Sequence, residues 1–520
     1  INCFSASTLA AVASVSGSFT RRRLLMRIEL PTTAVLKDLA TGLAYSQAQI
    51  KKQMILWQEL LLGYGAQRIA LAANSSAQWA LLDLACLDAD LLLVPLPTYL
   101  SESQLAHVMA QLEPDFYISD QEQNSAEFTL LEQVGDLLLY RRELQSSGAA
   151  IPATCQKITF TSGSTGQPKG VCLSAQSQLD VAHSLLERID QQAPKHLCLL
   201  PLSTLLENIA GIYTPLLAGG EVLIAPDSLR GFNGSQLTNP QALLTLISST
   251  APKSLILVPE LLQLLVMARA QGWQAPESLE FIAVGGAHVS TALLQQAARL
   301  GLPVYQGYGL SECASVVALS AVDARQSTAA DLELVGLPLA HRDVEIIDGE
   351  IVVKQPFLGY LGDAASQTEK VFTGDLGELD AQGRLRILGR RKNLLISSLG
   401  RNISPEWPEA LLTQSGLIRQ AVLVGDAQPY CAALLYLADA KAVAQLPAYL
   451  AHVNQQLPDY AQIKAYQLLT QPLSLADGTL TANGRPRRAE VFKKYQSEIN
   501  DLFVSNDLTG ESYEFLSNAG

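Results

Sequence analysis

Short β-rich runs alternate with helical stretches along most of this chain, and the alternation limits the folds that it can adopt. Two runs, Arg68–Ala73 and Leu91–Pro97, flank a helical stretch at Trp79–Ala89, and an amphipathic helix is expected at about Glu102–Gln111. The pattern recurs in KHLCLLPL, EVLIAP, KSLILVP, LEFIAVGG and LPVYQGYG, each with glycine or proline at or near its end. Buried strands that alternate with helices predict an α/β fold with largely parallel sheets. Ligands of such sheets bind at the loops that leave the carboxyl ends of the strands.

The length and the charge distribution predict two domains. A chain of 520 residues exceeds the size of one ordinary core. Glycine- and arginine-rich turns begin after Thr373, and we predict an N-terminal domain at 26–389 and a C-terminal domain at 390–520. From Arg390 onward the acidic and basic residues balance at 12 each, so the formal net charge of -13 lies before that point. The acidic balance also argues against nucleic-acid binding, which requires a basic surface.

The cysteines and the apolar segments indicate the cellular setting. Seven cysteines are scattered without a CxxC pair, which is typical of a reducing cytoplasm and predicts neither a metal cluster nor a disulfide framework. The best candidate for a membrane span, Trp79–Val94, contains three aspartates, so no transmembrane segment is expected. The basic cluster Arg21–Arg23 follows apolar residues, which is the reverse of a secretory signal. We interpret residues 1–25 as a leader or a non-native extension and Met26 as the start.

The segment TFTSGSTGQPKG, Thr159–Gly170, is the strongest chemical signal in the sequence. Its glycines let backbone N–H groups approach an anion, its hydroxyls add donors and Lys169 adds a positive charge, which together suit a polyphosphate. A flexible linker is the simpler alternative, but hydrophobic runs flank the segment. The nucleotide-kinase phosphate loop has the same spacing of Gly163 and Lys169, yet it requires glycine at Pro168 and serine or threonine at Gly170. We therefore predict a polyphosphate loop of another type.

This motif resembles the phosphate-loop signature of the adenylate-forming enzymes, which include acyl-CoA synthetases, peptide-synthetase adenylation domains and luciferases. Further motifs of that family follow in order: VGGAHVS (Val284–Ser290), QGYGLSECA (Gln306–Ala314), VGLPL (Val335–Leu339), the segment Phe372–Glu409 and LTANGRPRR (Leu480–Arg488). The resemblance covers about residues 27–500. It implies a large N-terminal α/β domain of parallel-rich sheets with a β-barrel-like subdomain, followed by a small, mobile α+β C-terminal domain.

The resemblance also implies ligands and a role for each motif residue. ATP phosphates are expected on the loop Thr161–Lys169, Mg²⁺ at Glu312 and Thr161, and Lys392 is the expected hinge between the domains. Adenine is expected at Gly285, Gly286, Ala287 and Tyr308, and the ribose at Asp375 and Arg390. The complete set of predicted nucleotide-binding residues is Thr161, Ser162, Gly163, Ser164, Thr165, Gly166, Lys169, Gly285, Gly286, Ala287, Tyr308, Gly309, Ser311, Glu312, Asp375, Arg390 and Arg485. The predicted catalytic residues are Lys169, Glu312 and Arg485.

Two segments depart from the family pattern, and the first is LPLSTLLEN (Leu200–Asn208). Many relatives carry an aromatic residue or histidine where Ser203 and Thr204 stand, while Glu207 keeps its place. We expect this region to line an acyl pocket whose gate is smaller or more polar than usual. It offers no aspartate to pair with an ammonium group, which argues against a simple α-amino acid. His288 either lines the same pocket or has a structural role.

The second departure lies in LTANGRPRR, where three arginines follow an Asn-Gly turn signal. In the family this loop carries a lysine that contacts the substrate carboxylate and the α-phosphate, and the spacing places Arg485 at that position. Arginine keeps the charge and adds a planar fork of donors, but it is longer than lysine and cannot imitate an ammonium point charge. We predict that Arg485 does the work of the lysine. Arg487, Arg488 and Lys493 are the next candidates.

Three functional interpretations remain open at this point. The first is an ATP-dependent ligase that converts a small-molecule carboxylic acid into an acyl adenylate, releases pyrophosphate and transfers the acyl group to coenzyme A. A fatty acid is favoured by the apolar segment Ser254–Val266 and by the LPL region. The second uses the phosphopantetheine of an acyl carrier protein, or another nucleophile, instead of coenzyme A. The third is a non-catalytic nucleotide- or acyl-AMP-binding protein, against which the intact Lys169, Glu312, Asp375 and Arg390 argue.

Overall fold

The computed structural model describes residues 28–123, 127–143, 149–162, 168–189, 193–234, 236–396, 402–426, 428–481 and 484–504. The predicted leader, residues 1–25, lies outside these ranges. None of the described helices combines the length and the apolar character that a membrane-spanning helix requires.

Strands and helices alternate from Ala44 to Ser119, as the sequence predicts, whereas the strands between Phe116 and Ser174 follow one another without a described helix. The strands are β1 (Val35–Asp38), β2 (Ala44–Ser46), β3 (Arg68–Ala72), β4 (Leu92–Pro95), β5 (Phe116–Ser119), β6 (Phe128–Val134), β7 (Leu137–Arg142), β8 (Cys155–Ser162) and β9 (Pro168–Ser174). The helices are α1 (Gln47–Tyr64), α2 (Ala77–Asp88), α3 (Glu102–Leu112) and α4 (Ala175–Ile189).

The middle of the chain continues this pattern. Its strands are β10 (Lys195–Cys198), β11 (Glu221–Ile224), β12 (Phe232–Asn233), β13 (Gln236–Leu237), β14 (Ser254–Leu257), β15 (Phe281–Val284), β16 (Val304–Leu310) and β17 (Ser315–Leu319). Its helices are a π-helix (Glu207–Tyr213), α5 (Thr214–Leu217), α6 (Asp227–Arg230), α7 (Pro240–Thr250), α8 (Pro259–Ala270), α9 (Thr291–Arg299) and a 3₁₀ turn (Ser311–Cys313).

The last third of the chain is richer in antiparallel strands. These strands are β18 (Leu334–Pro338), β19 (Asp343–Ile347), β20 (Glu350–Phe357), β21 (Thr368–Leu379), β22 (Leu385–Arg390), β23 (Leu395–Ile396), β24 (Asn402–Ile403), β25 (Ile418–Val424), β26 (Cys431–Leu437) and β27 (Ile463–Leu468). The helices are a 3₁₀ turn (Arg391–Asn393), α10 (Glu406–Thr413), α11 (Leu446–Asn454), α12 (Arg488–Lys494) and α13 (Gln496–Val504).

Several helices begin where the sequence supplies a capping side chain. Ser76 accepts the N–H of Trp79 at the start of α2, and Asn239 accepts that of Ala242 at the start of α7. Serine and asparagine oxygens satisfy N–H groups that have no partner within the first helical turn. Helix α1 ends at Gly65, whose φ of 75° is a left-handed conformation that glycine adopts at little cost. Local sequence therefore sets these helix ends.

The largest sheet joins a parallel part to an antiparallel part in the order β19-β20-β21-β22-β18-β17-β16-β15-β14-β10-β11-β1-β2. Neighbours from β1 to β16 run parallel, whereas those from β16 to β19 run antiparallel. Strand β16 belongs to both parts, because Gln306 pairs with β15 and the following Gly307–Leu310 pair with β17. The antiparallel part therefore begins just past the carboxyl ends of β14 and β15. It is the part for which the resemblance predicts a β-barrel-like subdomain.

A second sheet of seven strands has the order β6-β7-β5-β3-β4-β8-β9, and β3, β4, β5 and β8 run parallel within it. Helices α1 and α2 fill the space between the two sheets, and the indoles of Trp57 and Trp79 are fully buried there. Apolar residues of both sheets share this core, which includes Leu36 of β1 and Ile69 of β3. The two sheets therefore form one packed N-terminal unit.

The C-terminal part has its own sheet and its own core, as an α+β domain requires. Strand β26 pairs antiparallel with β25 and parallel with β27, and helices α10 to α13 accompany this sheet. Apolar side chains such as Leu435 on one face and Leu434 on the other are fully buried. Lys392 lies in the 3₁₀ turn between β22 and β23. The boundary after residue 389, which falls within β22, and the hinge at Lys392 stay predictions.

A buried charge network joins strand β8 to helix α2 and to the π-helix. Lys157 Nζ lies 2.7 Å from Asp83 Oδ1, and the two side chains are 1% and 0% exposed. Asn208 and Tyr213, from the two ends of the π-helix, each donate to Asp83 Oδ2 and accept from Lys157 Nζ. Burial lowers the pKa of Lys157, while the Asp83 carboxylate opposes that shift. Two ions taken out of water are tolerated here because hydrogen bonds surround both of them.

We predict that Lys157→Met lowers the free energy of unfolding by about 3–5 kcal/mol, because it leaves the carboxylate of Asp83 buried without its cation. Urea unfolding measures the change. The partly exposed Lys37 of the neighbouring sheet provides a matched control, Lys37→Met, which should cost less than about 1 kcal/mol. The double variant Lys157→Met/Asp83→Asn should recover part of the loss. Equal stability of the two lysine variants would contradict the prediction.

Candidate functional site

The predicted site residues meet in one cleft between the two domains. The cavity has a volume of about 1970 Å³ and is lined from both sides. Its walls include every predicted site residue whose surroundings the structure describes: Thr161, Lys169, Gly285, Gly286, Ala287, Tyr308, Gly309, Ser311, Glu312, Asp375, Arg390, Lys392 and Arg485. Gly163, Ser164, Thr165 and Gly166 lie outside the described residues, as does the side chain of Ser162. Residues that are far apart in sequence are thus neighbours in space.

A β-hairpin closes the base of the predicted polyphosphate loop. Thr161 of β8 pairs with Lys169 of β9, and Thr161 Oγ1 donates to the backbone oxygen of Lys169 at 3.5 Å. Below this pair, a Cβ atom at Gly170 would lie 2.9 Å from Ile158 Cγ2, so a larger residue would displace Ile158. The hairpin leaves the side chain of Lys169 exposed to the cleft. A cation and the two ends of the loop are therefore held at one wall.

Tyr360 is a residue of this wall that the sequence analysis missed. Its phenol donates a hydrogen bond to Glu312 Oε1 at 2.9 Å, and Lys169 Nζ lies 5.4 Å from the centroid of its ring. Burial and then the Glu312 carboxylate raise the pKa of Tyr360. An antiparallel bridge to Val171 of β9 fixes the backbone of Tyr360 beside the hairpin. One tyrosine thus contacts both the predicted metal ligand and the predicted phosphate-binding lysine.

Tyr308, Asp375 and Arg390 form a connected group on the antiparallel part of the large sheet. Asp375 and Arg390 are partners across β21 and β22, and Arg390 Nε lies 2.6 Å from Asp375 Oδ1. Tyr308 donates to Asp375 Oδ2 at 2.7 Å. Burial raises the pKa of Asp375, whose side chain is 5% exposed, while Arg390 and Tyr308 oppose the shift. Each oxygen of Asp375 has a protein partner, so a ligand hydroxyl would share these oxygens with Tyr308 and Arg390.

Glycine at 309 has a structural reason that the motif alone did not reveal. A Cβ atom there would lie 1.7 Å from the backbone oxygen of Ser315, at the point where the pairing of β16 with β17 shifts its register. Tyr308 precedes Gly309 on β16, and Glu312 follows it in the 3₁₀ turn that leads to β17. Gly309 therefore shapes the hairpin that carries both side chains, whether or not it contacts a ligand.

Arg485 reaches the cleft from the C-terminal domain. Its loop is closed by Thr481, whose N–H donates to the Arg485 oxygen at 2.8 Å and whose Oγ1 accepts from Arg485 N at 3.1 Å. Desolvation by the cleft walls, followed by the like charge of Arg390, lowers the pKa of Arg485, although the side chain is exposed to the cleft. The acidic groups that oppose this shift are Asp375, Glu260 and Glu406. Among the described residues its guanidinium has no hydrogen bond or ion pair, so it is available to an anion.

The other two arginines of this loop have structural partners. Arg488 Nη2 lies 2.6 Å from Glu409 Oε1 and 2.7 Å from Oε2, and both side chains are 12% exposed. Burial raises the pKa of Glu409 to about 7 in spite of this contact. Arg487 donates to the backbone oxygen of Gly478 at 3.2 Å. Arg488 is therefore a poor replacement for Arg485, because its fork of donors already holds α12 against α10.

The cavity also extends along the parallel strands, and we refer to this part of it as the channel. On the sheet side its lining runs from Gly285, after the carboxyl end of β15, to Phe281 at the amino end of the same strand. Helix α4 and the segment from the π-helix to Ala218 form the opposite wall. Ser203 and Thr204 line the cleft as predicted, and His288 lines it too. The lining of this channel is mainly apolar.

His196 and Glu207 form a buried pair beside the channel, and sequence reasoning missed His196. Its Nε2 lies 2.9 Å from Glu207 Oε1 and its Nδ1 lies 2.9 Å from Ser254 Oγ. Glu207 is fully buried and also accepts the N–H of Leu200 at 2.8 Å. A Cβ atom at Gly211 would lie 2.1 Å from Glu207 Oε1, so the glycine of the π-helix makes room for the pair. Glu207 thus lies behind His196 rather than on the channel surface.

Two family profiles match consecutive parts of the chain. Residues 60–361 match the AMP-binding enzyme family, and residues 392–507 match the AMP-binding enzyme C-terminal domain. The second match begins at Lys392 and covers the small domain that the structure places there.

Curated relatives and solved structures extend the comparison. The long-chain-fatty-acid–CoA ligase FadD15 of Mycobacterium bovis is 29% identical over 253 residues, which cover 42% of this chain and 41% of that protein. A 2-succinylbenzoate–CoA ligase of Staphylococcus aureus is 30% identical over 346 residues, 63% of this chain and 65% of that protein. The chain thus matches less than two thirds of either relative's length. An O-succinylbenzoate coenzyme A synthetase from Bacillus subtilis, solved with ATP and a magnesium ion, superposes with a TM-score of 0.67 and 22% identity, covering 88% of this chain and 96% of the other. The last likeness shows the fold.

We predict that Gly309→Ala disrupts the hairpin of β16 and β17, because the added Cβ meets backbone that cannot move aside. Thermal unfolding should show a loss of several degrees, since strain of a few kcal/mol is expected. Gly307→Ala, two residues earlier on the same strand, is the matched control: its Cβ would lie 3.5 Å from the Ala318 oxygen, an ordinary contact. Equal melting temperatures for the two variants would refute the structural reason given for Gly309.

Proposed function

The chain belongs to the AMP-binding enzyme family, and we propose that it activates a carboxylic acid with ATP and transfers the acyl group to a thiol. The observation that supports this proposal is the convergence of Lys169, Glu312, the Asp375–Arg390 pair and Arg485 on one cleft. Three cations and two acids at one concave surface suit a polyanionic ligand that carries a sugar. Arg485 comes from the second domain, so both domains take part.

In the first proposed step, an oxygen of the acid attacks the α-phosphorus of ATP, and the bond from that phosphorus to the β-phosphate oxygen breaks. Acyl adenylate and pyrophosphate are the products. Lys169 and the loop before it hold the β- and γ-phosphates, and Tyr308, Asp375 and Arg390 position the nucleoside. Arg485 brings the carboxylate and the α-phosphate together and balances their negative charges. Positioning and charge stabilisation carry such a reaction without a protein nucleophile.

Glu312 and Thr161 are the proposed ligands of Mg²⁺. Both offer oxygen atoms, which this ion prefers. Tyr360 occupies Glu312 Oε1, and among the described residues Oε2 has no hydrogen-bond partner, so one oxygen remains for a cation. A metal bound there with ATP neutralises charge on the phosphate oxygens. The contact between Lys169 and the face of Tyr360 keeps the ammonium on the same wall.

In the second proposed step, a thiol sulfur attacks the carbonyl carbon of the acyl adenylate, the bond from that carbon to the AMP oxygen breaks, and the thiol proton passes to solvent. We favour coenzyme A as the thiol, because the named relatives are CoA ligases. The alternative is the phosphopantetheine of an acyl carrier protein, and loss of free coenzyme A thiol during turnover separates the two. The proposed hinge at Lys392 lets the C-terminal domain rearrange between the steps.

A fatty acid is the substrate that we favour. The relatives include ligases of long-chain fatty acids and of 2-succinylbenzoate, so their names alone leave the acid open. The mainly apolar lining of the channel supports the former choice. ATP–pyrophosphate exchange with fatty, aryl and hydroxy acids tests the proposal. Silence with all of them would favour the remaining alternative, a protein that binds the nucleotide or an acyl adenylate without catalysis.

We predict that Arg485→Ala slows ATP–pyrophosphate exchange by on the order of a hundredfold, because it removes a positive charge from the reacting groups. Thioester formation from synthetic acyl adenylate should change much less. Arg487→Ala, in the same loop, is the matched control and should retain most of the exchange activity. An unchanged exchange rate for Arg485→Ala would remove Arg485 from the mechanism.

We also predict that Tyr360→Phe raises the Mg²⁺ concentration needed for half-maximal exchange by about tenfold, because the hydrogen bond that orients Glu312 is lost. The ring that faces Lys169 is kept. Calorimetric titration of Mn²⁺ in the presence of a non-hydrolysable ATP analogue gives the same comparison without turnover. Tyr305→Phe, at a tyrosine of β16 that does not line the cleft, is the control. Identical metal dependence in the two variants would show that Tyr360 does not position Glu312.

A further inference from the structure

The channel offers a substrate tail a long apolar wall. Its lining follows β15 from Gly285 to Phe281, a distance of about 13 Å at the rise of a parallel strand. Ile256 of β14 and Ala283 of β15 lie between these ends, and Leu185 of α4 faces them. All these side chains are uncharged. An elongated apolar group therefore fits along the strands, with its carboxylate at the cleft.

The inner end of the channel lies at the amino ends of β10, β14 and β15, where Ser254 and Phe281 line it. Among the described lining residues there, His196 is the one titratable side chain. Both of its ring nitrogens are already engaged, by Glu207 and by Ser254. The carboxylate of Glu207 stands directly behind the ring. A negative group on a ligand would meet neither a free donor on this imidazole nor an uncompensated cation.

The arginines closest in sequence to these walls are committed elsewhere. Arg188 of α4 donates to the backbone oxygens of Leu319 and Pro338, at 3.1 Å and 2.9 Å. Arg230, which is 1% exposed, donates to the Leu199 oxygen and pairs with Asp227. Neither side chain lines the channel.

We infer that this channel selects acids with a single carboxylate and an uncharged, elongated tail, and that it rejects acids with a second carboxylate at the far end. The inference rests on the proposed adenylation and names its substrate class. A carboxylate that leaves water for an apolar wall loses its hydration, and no cation among the described lining residues of this inner end replaces it. The nearby Glu207 adds repulsion of like charges. The buried pair of His196 and Glu207 is thus a specificity determinant.

Three acids of equal chain length test this inference in ATP–pyrophosphate exchange: dodecanoic acid, dodecanedioic acid and its monomethyl ester. The ester has the length and the polar end of the diacid but lacks its second charge. We expect the monoacid and the ester to support exchange, with kcat/KM for the diacid about a hundredfold lower. Exchange with the diacid as fast as with the ester would overturn the inference. Silence with all three acids would overturn the inference, and exchange with the aryl and hydroxy acids of the panel then decides whether the proposed adenylation fails with it.

A gain of function tests the same point from the protein side. Ala218 lines the inner end of the channel beside Pro194 and follows α5, and a lysine there can reach the channel with its flexible stem. Ala218→Lys should raise the ratio of diacid to monoacid activity by about tenfold. Leu217→Lys, one residue earlier and outside the lining, is the matched control, and thermal unfolding verifies that both variants are folded. A ratio unchanged in Ala218→Lys and in its control would count against a charge-based selection.

Discussion

The buried ion pair of Lys157 and Asp83 is the interaction on which the arrangement of the cleft depends. Lys157 lies on β8, four residues before the loop that the motif predicts for phosphates, and its other partners belong to the π-helix that lines the acid channel. This buried network thus connects the strand that precedes the phosphate loop, and the π-helix beside the channel, to helix α2. A π-helix is rare and is frequently found at functional sites. Here Asn208 and Tyr213 of the π-helix accept hydrogen bonds from Lys157, and Glu207 contacts His196.

The sequence predicted the architecture and the members of the cleft, and the physical reasons are clear. Runs such as Arg68–Ala73 are apolar because the parallel strands are buried on both faces, so the alternation with helices is readable without a structure. Motif residues such as Lys169 and Asp375 were found because each motif is a contiguous string. Tyr360 and His196 were not, since each contacts a side chain outside its own short run of sequence: Glu312 is 48 residues from Tyr360, and Glu207 is 11 residues from His196. Nothing local in LGYLGD or KHLC shows that the ring of one meets Glu312 and that of the other meets Glu207.

The three arginines of the C-terminal loop show the same limit at closer range. Spacing alone aligned Arg485 with a catalytic position, but it could not rank Arg487 and Arg488 as substitutes. Tertiary contacts separate them: Arg488 holds a buried carboxylate, Arg487 holds a backbone oxygen, and Arg485 projects into the cleft. Tertiary contacts therefore determine which of these arginines is available to a ligand. The selectivity inferred for the channel also depends on tertiary contacts, because Arg188 and Arg230 bind backbone oxygens and Asp227 instead of lining it.

Arginine at position 485 has a chemical consequence of its own. An acyl adenylate is a reactive acylating agent, and the proposed reaction forms it beside this side chain. A lysine amine can lose its proton in a crowded, partly desolvated site and become a nucleophile, whereas a guanidinium stays protonated there. The side chain proposed to position the reactants therefore does not react with the acyl adenylate that they form. Nor does lysine acetylation, which removes charge, have a target at this position. The substitution gives up the compact charge of an ammonium group and gains chemical inertness toward the intermediate.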